Sequence, residues 1–254
     1  MLAIVILLGL AVGSFLNVAI FRTHEEETVL RGRSKCRSCE TPLGFVDLVP
    51  IVSFLVLRGR CRRCKTAISW QYPLVELATA MLFLLFYLQA APIASLEAAY
   101  ALLGDWILLS FLVVIFVYDL KHMAILDRFT VPAMVLTALF NLWTHSVDAS
   151  SMLWGVIVIA GFFSVQFALS RGEWIGGGDI RMGALMGFAL GLEQGVVAVF
   201  LAYVLGAVVG IVLYAAKKAQ RKTPLPFGTF LTLSTAVMLF VGDAPLRGYL
   251  QLFS

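Results

Sequence analysis

Long apolar stretches separated by short polar ones dominate this chain. Runs of spanning length lie at 2–21, 73–90, 98–118, 129–144, 151–170, 180–192, 194–216 and 227–243, and each is predicted to form a helix crossing a bilayer whose hydrocarbon core is about 30 Å thick. The pattern therefore predicts an all-α, polytopic membrane protein of about eight transmembrane helices. The sixth run is the shortest of them. The first lacks the basic leading segment and small-residue cleavage site of a signal peptide, so it is expected to remain as a span. One polar stretch is much longer than the rest, which divides the chain into a first span at 1–21, a loop at 22–72 and a helical core at 73–254.

Composition supports this division. The chain has 254 residues, of which 61% are hydrophobic and 13% charged, with a mean hydropathy of +0.94, values outside the range of soluble globular domains. Lys and Arg are retained on the cytoplasmic side of membrane proteins. Ten of the 19 basic residues fall between Arg22 and Lys65; Lys121 and Arg128 lie in the third connection, Arg171 and Arg181 in or beside the fifth, and Lys217, Lys218, Arg221 and Lys222 in the seventh. The second, fourth and sixth connections hold none, and Arg247 alone breaks the alternation. The expectation is that both termini lie outside and the long loop inside the cytoplasm. The net charge of +4 then reflects topology, and no nucleic-acid partner is expected.

The long loop contains all four cysteines, as two Cys-x-x-Cys pairs: Cys36 and Cys39, then Cys61 and Cys64. Thiols at this spacing in a reducing compartment point to metal rather than to disulfides. Two tight turns, each aiming two thiolates at one ion, make a tetrahedral Zn site. Four protein ligands leave no open position, so the predicted zinc is structural and folds a loop with too little apolar material for its own core.

Chemistry is then expected from ionisable residues at the ends of spans. Asp119 closes the third run in Tyr118-Asp119-Leu120-Lys121-His122, and Asp179 follows Gly176-Gly177-Gly178 at the start of the sixth. The charge pattern puts both on the cytoplasmic side. Two carboxylates brought together there share one proton, one activating a water while the other polarises a peptide carbonyl. Spacing alone reads equally well as interfacial charges beside Lys121 and Arg181. Gly183, Gly187, Gly191 and Gly195 recur at intervals of four, which puts the first three on one helix face and predicts tight packing by a neighbour behind Asp179.

Taken together, these residues resemble the type IV prepilin leader peptidases, membrane aspartic peptidases of the Gly-x-Gly-Asp class. The resemblance is carried by Gly13-Ser14-Phe15-Leu16-Asn17-Val18, the doubled Cys-x-x-Cys, Asp47-Leu48-Val49-Pro50, Arg58-Gly59-Arg60-Cys61, Ile68-Ser69 and Tyr72-Pro73-Leu74-Val75-Glu76-Leu77. It continues through the segment from Asp119 to Asp127, Gly176 to Asp179, and Pro224-Leu225-Pro226-Phe227-Gly228. It implies that Asp119 and Asp179 are the catalytic pair. It also implies cleavage of the basic leader of prepilins or pseudopilins, substrates of type IV pilus and type II secretion systems, at the cytoplasmic face of the inner membrane. Many members with the cysteine loop also methylate the new N-terminus with S-adenosylmethionine. One departure is visible: Leu126 precedes Asp127 where the family usually has Pro-Asp, which bears on how the fourth span begins. No Gly-x-Gly-x-x-Gly fingerprint is present, so methyl transfer rests on the resemblance. The competing readings are a peptidase without methyl transfer and a proton-coupled transporter; few polar residues in the spans favour the latter.

Asn17 and Glu76 lie inside spans, where each either meets substrate or cofactor or hydrogen-bonds between helices. His24 and His122 are expected to be surface imidazoles and His145 has no expected role. Asp105 reads as interfacial, Asp127 as a neighbour of the active site. Glu25, Glu26 and Glu27 read either as a solvated face or as a patch attracting a basic leader.

Overall fold

In the computed structural model, which describes residues 1–29, 32–90, 92–217 and 224–242, the apolar runs all become helix. Arg31, Lys218, Arg221, Lys222 and Arg247, used above in the charge pattern, lie outside the described residues. The elements are α1 (Leu2–His24), a 3-10 turn (Phe45–Leu48), α2 (Val52–Val56), α3 (Gln71–Ala90), α4 (Leu96–His122), α5 (Asp127–Thr144), α6 (Ala149–Ser170), α7 (Gly177–Ala215) and α8 (Phe227–Val241). Among the described residues there is no β-strand beyond two isolated bridges. Among the described residues five helices, α1, α3, α4, α6 and α7, are long and apolar enough to cross a membrane. Their outward faces carry exposed Leu7, Leu169 and Phe200, as expected of a multi-pass membrane protein whose solvent there is lipid.

The chain divides into two compact units, Met1–Pro92 and Ile93–Ser254. In the first, α1 and α3 run antiparallel. Hydrocarbon supplies no hydrophobic drive for helix pairing, so close backbone contact through small residues must. Gly9 faces the Ala80 Cα and Gly13 the Glu76 Cα so closely that a Cβ would come within 2.6 and 2.7 Å of them. Asn17, fully buried, donates to the Gly13 and Tyr72 carbonyls at 3.3 and 3.2 Å and accepts from Gln71 at 3.1 Å. Its role in the fold is thus a hydrogen-bonded link between helices.

In the second unit, the glycine series of α7 meets α6 as expected. A Cβ on Gly183 would touch Phe163, one on Gly187 would come within 2.3 Å of the Val156 nitrogen, and one on Gly191 would meet Ser151. Gly191 is not helical: φ 70° and ψ −165° belong to a region essentially restricted to glycine. The chain reverses there. Gly183 before the break and Gly195 after it both contact Ile159, and Gly195 also approaches the Met186 carbonyl; in one straight helix, Gly183 and Gly195 would stand about 18 Å apart. The sixth and seventh apolar runs are therefore two antiparallel segments joined at a single residue. The Ser151 hydroxyl accepts from the Leu192 N–H at 3.1 Å and holds the turn.

The start of α5 adapts to Leu126. This residue is the N-cap, with φ −97° and ψ 136°, the extended backbone usual at that position, so the helix begins at Asp127 without a proline. Asp127 sits in the first turn and pairs with Arg181 at 2.7 Å.

Candidate active site and metal centre

Each cysteine pair sits on a knuckle of the same construction. The Cys36 N–H donates to the Thr41 carbonyl and the Cys61 N–H to the Thr66 carbonyl, both at 2.9 Å; Glu40 and Lys65 donate back to Cys36 and Cys61 at 2.8 and 3.1 Å. A bridge flanks each turn, Lys35 with Pro42 and Arg60 with Ala67. Glu40 and Lys65 occupy matching left-handed positions, φ 53° and 61°. Two copies of one turn thus present four sulfurs to a common point. The four Sγ atoms lie within 4.8 Å of one another, and Cys36 and Cys64 are 3.8 Å apart. Tetrahedral Zn–S bonds of about 2.3 Å separate the sulfurs by about 3.8 Å. All four cysteines are free thiols, so the residues fit a closed Zn(Cys)4 centre.

The electrostatics favour thiolates at three of the four cysteines. Thr41 holds the Cys39 thiol below its usual range, Thr66 does the same for Cys64, and backbone N–H groups of Cys64 and Arg63 lower Cys61. Cys36 is drawn down by the Cys39 backbone but pushed further up by burial and its cysteine neighbours, to about 11. It is the last of the four to ionise, and a dication supplies the charge that removes its proton. Surrounding ion pairs tie the knuckles to the rest of the first unit. Arg37 pairs with Glu25 at 3.0 Å and lies over the Phe21 ring at 3.6 Å, Lys35 reaches Glu27 at 3.6 Å, and Arg62 reaches Asp47 at 2.9 Å. Glu25 and Glu27 therefore serve the knuckle itself, a pairing that neither reading of the acidic run anticipated. Glu76 also faces this loop, its Oε2 accepting the Ile51 N–H at 2.8 Å. His24 and His122 are not among the clustered ligands. Zinc analysis of the purified protein is expected to give one ion per chain. Removal by a strong chelator should expose 32–70 to protease; a loop that stays resistant without metal contradicts a structural role.

The two aspartates occupy the second unit, each at a helix N-terminus, where exposed N–H groups and the helix dipole attract a negative group. Asp179 is the third residue of α7, and its Oδ2 accepts the Gly176 N–H at 2.8 Å, closing the helix start on itself. Asp119, at the end of α4, reaches across to α8: its Oδ2 accepts the Thr229 N–H at 2.7 Å and the Thr229 hydroxyl at 3.1 Å. It fills the place of the capping side chain that Pro226 cannot provide. Both residues are buried, and Asp119 lies near enough for its charge to bear on Asp179. Among the described residues these hydrogen bonds all use Oδ2, leaving each Oδ1 for another partner.

Ile125 connects the two positions. A Cβ on Gly178 would stand 2.7 Å from the Ile125 Cβ, and one on Gly228 would stand 2.6 Å from the Ile125 Cδ1 and 2.9 Å from Asp119 Oδ2. The glycines preceding Asp179 and Thr229 thus let both helix starts close onto one apolar side chain beside the carboxylates. Sequence reasoning missed Ile125 and Thr229. Thr229 carries a weak signal, as the third residue after a helix-starting proline, whereas nothing local marks Ile125. Gly228→Ala is expected to lower turnover about tenfold or more by displacing Asp119, with overpacking of about 1–3 kcal/mol; wild-type turnover would show that the contact relaxes freely.

A family model described as the bacterial peptidase A24 N-terminal domain matches residues 7–90, and one described as the type IV leader peptidase family matches residues 106–211. Over nearly its whole length the chain is 32% identical to a prepilin leader peptidase/N-methyltransferase of Aeromonas hydrophila, covering 99% of this chain and 94% of the relative. The chain belongs to the type IV leader peptidase family. A second member, from Bacillus subtilis strain 168, is 30% identical over 99% of both chains, and one from Burkholderia pseudomallei strain 1026b is 33% identical over 95% of this chain and 85% of the relative. All three carry the same name. No solved structure matches. In this leader peptidase the two family regions fall one in each compact unit, the cysteine centre in the first and the aspartates in the second.

Proposed function

We propose that this leader peptidase cleaves the basic leader from type IV prepilins or pseudopilins at the cytoplasmic face of the inner membrane and then methylates the new N-terminus. The observation that carries the peptidase reading is the pair of buried carboxylates, Asp119 and Asp179, held at two helix starts around Ile125 within electrostatic range of each other. In the proposed reaction one carboxylate is ionised and draws a proton from a water. The other, protonated, donates to the scissile carbonyl, since close like charges resist joint ionisation. The N–H donors at each Oδ2 hold both groups in place, and each Oδ1 faces the reaction. When the leaving amine departs, the proton taken from water is passed to it.

The proposed topology has about eight crossings, the sixth and seventh joined at Gly191, with residues 22–72 as a cytoplasmic module and the aspartates in the core at 73–254. The alternation of Lys and Arg supports it. Zinc belongs to the module as a structural ion. S-adenosylmethionine is the proposed methyl donor, on the strength of the relatives' names. The test is one incubation of the purified protein with a synthetic prepilin and S-adenosylmethionine, read by mass spectrometry. Loss of the leader with gain of one methyl group is expected; leader loss alone removes the methyl-transfer half, and an intact substrate with a folded enzyme removes the whole reading.

A further inference from the structure

Asp105 lies in α4, about 21 Å along the helix from Asp119, and the mechanism does not use it. It opens into a small pocket of about 20 Å³ formed by α4, α5, the turn after α5, α7 and α8. Among the described residues no hydrogen-bond donor and no cation meets its carboxylate.

The other polar groups lining this pocket are Thr137, Asn141, Thr144 and Ser146, and hydrogen bonds fix which atoms of the last three are free. Asn141 Nδ2 donates to the Phe188 carbonyl at 2.8 Å, so its amide oxygen is left as an acceptor. The Thr144 hydroxyl donates to the Phe140 carbonyl at 2.8 Å, using its one proton. In the 2.7 Å contact between Thr144 and Ser146 the donor must therefore be Ser146, which leaves both its lone pairs free. Carboxylate, amide oxygen and hydroxyl oxygen thus line one pocket as acceptors, and among the described residues its lining contains no Lys, Arg or His.

From this arrangement we infer that the pocket around Asp105 binds a small monovalent cation of the alkali type. Among the described residues all the free groups are oxygens, the ligands of hard cations, with no thiolate or imidazole to favour a transition metal. One carboxylate balances one positive charge, and a net-neutral site among apolar helices costs least. Calcium sites gather several carboxylates, and this pocket has one. A bound cation would join Asp105 on α4 to Asn141 on α5 and Ser146 beyond it. Asn141 already grips the α7 backbone, so the site would clamp three helices at the end of the unit opposite the aspartates.

The test uses the full-length protein in detergent micelles or nanodiscs, with its thermal midpoint measured in sodium chloride and in choline chloride at equal ionic strength. Sodium is expected to raise the midpoint by about 3 °C or more relative to choline, saturably, as a ligand of the native state does. Asp105→Asn is expected to abolish the difference while leaving prepilin cleavage intact. Ser146→Ala, a milder change in the pocket lining, is expected to shift the half-saturating sodium concentration upward about tenfold and serves if Asp105→Asn does not fold. Potassium or ammonium in place of sodium ranks the cation's size within the same class. The inference is overturned if choline and sodium give the same midpoint, if the sodium response survives Asp105→Asn or is unmoved by Ser146→Ala, or if calcium acts at a hundredfold lower concentration than sodium.

Discussion

Asp119→Asn and Asp179→Asn are each expected to slow prepilin cleavage by about 10²–10⁴-fold, the span attributed to a positioned acid or base, while leaving zinc content and membrane insertion unchanged. The amide keeps the size of the carboxyl group and part of its hydrogen bonding. In the Asp179 variant the amide oxygen still accepts from the Gly176 N–H, and in the Asp119 variant it still accepts from Thr229, so both helix starts survive. What is lost is the ability to take or give a proton. A stability loss of about 1 kcal/mol per variant, the worth of a weakened cap, is the most the fold should register. Initial rates on a synthetic prepilin, alongside thermal midpoints, check both halves. A variant that is both unfolded and inactive would say nothing of catalysis, which is why amides are preferred to alanines here.

Gly187→Ala is expected to have the largest effect on the fold. Its Cβ would lie 2.3 Å from the Val156 nitrogen and 2.6 Å from the Gly155 carbonyl carbon, and both are backbone atoms that no rotamer change can move. The two helices would have to separate, at about 3 kcal/mol or more. Gly183, one turn nearer Asp179, shares this face, so separation also loosens the support behind the carboxylate. Gly161→Ala is the matched control on α6, since a Cβ there meets nothing within 4 Å. A thermal midpoint well below wild type for the first and near wild type for the second is the expected result, measured on protein extracted from membranes.

How much of this could be read in the chain differs from feature to feature, for physical reasons. The cysteine spacing was informative because both ligands of a knuckle lie within one turn; the structure adds the matched threonines and left-handed positions that a repeat search around the cysteines would also reveal. The glycine interval predicted tight packing by some neighbouring helix because helix periodicity is local; that the neighbour is α6 comes from the structure. The sequence divides the sixth run from the seventh at Glu193, but that the reversal is made at Gly191 was not legible, because nothing local separates a glycine with left-handed φ from the helical glycines of the same series. The partners of Asp119 lay further out of reach: Thr229 stands 110 residues away and Ile125 has no polar chemistry to mark it. Asn17 and Glu76 left two readings open from sequence, and only their partners, Gln71 with two backbone carbonyls and the Ile51 N–H, show both engaged within the first unit.

The most direct test of the central claim compares cleavage by the Asp119→Asn/Asp179→Asn double variant with that of each single variant. If the two carboxylates act on one water as one unit, the double variant is expected to be no slower than the slower single variant, because removing either partner already removes the shared chemistry. Single variants that cleave prepilin as fast as the wild type, or a double loss equal to the product of two independent ones, would contradict it.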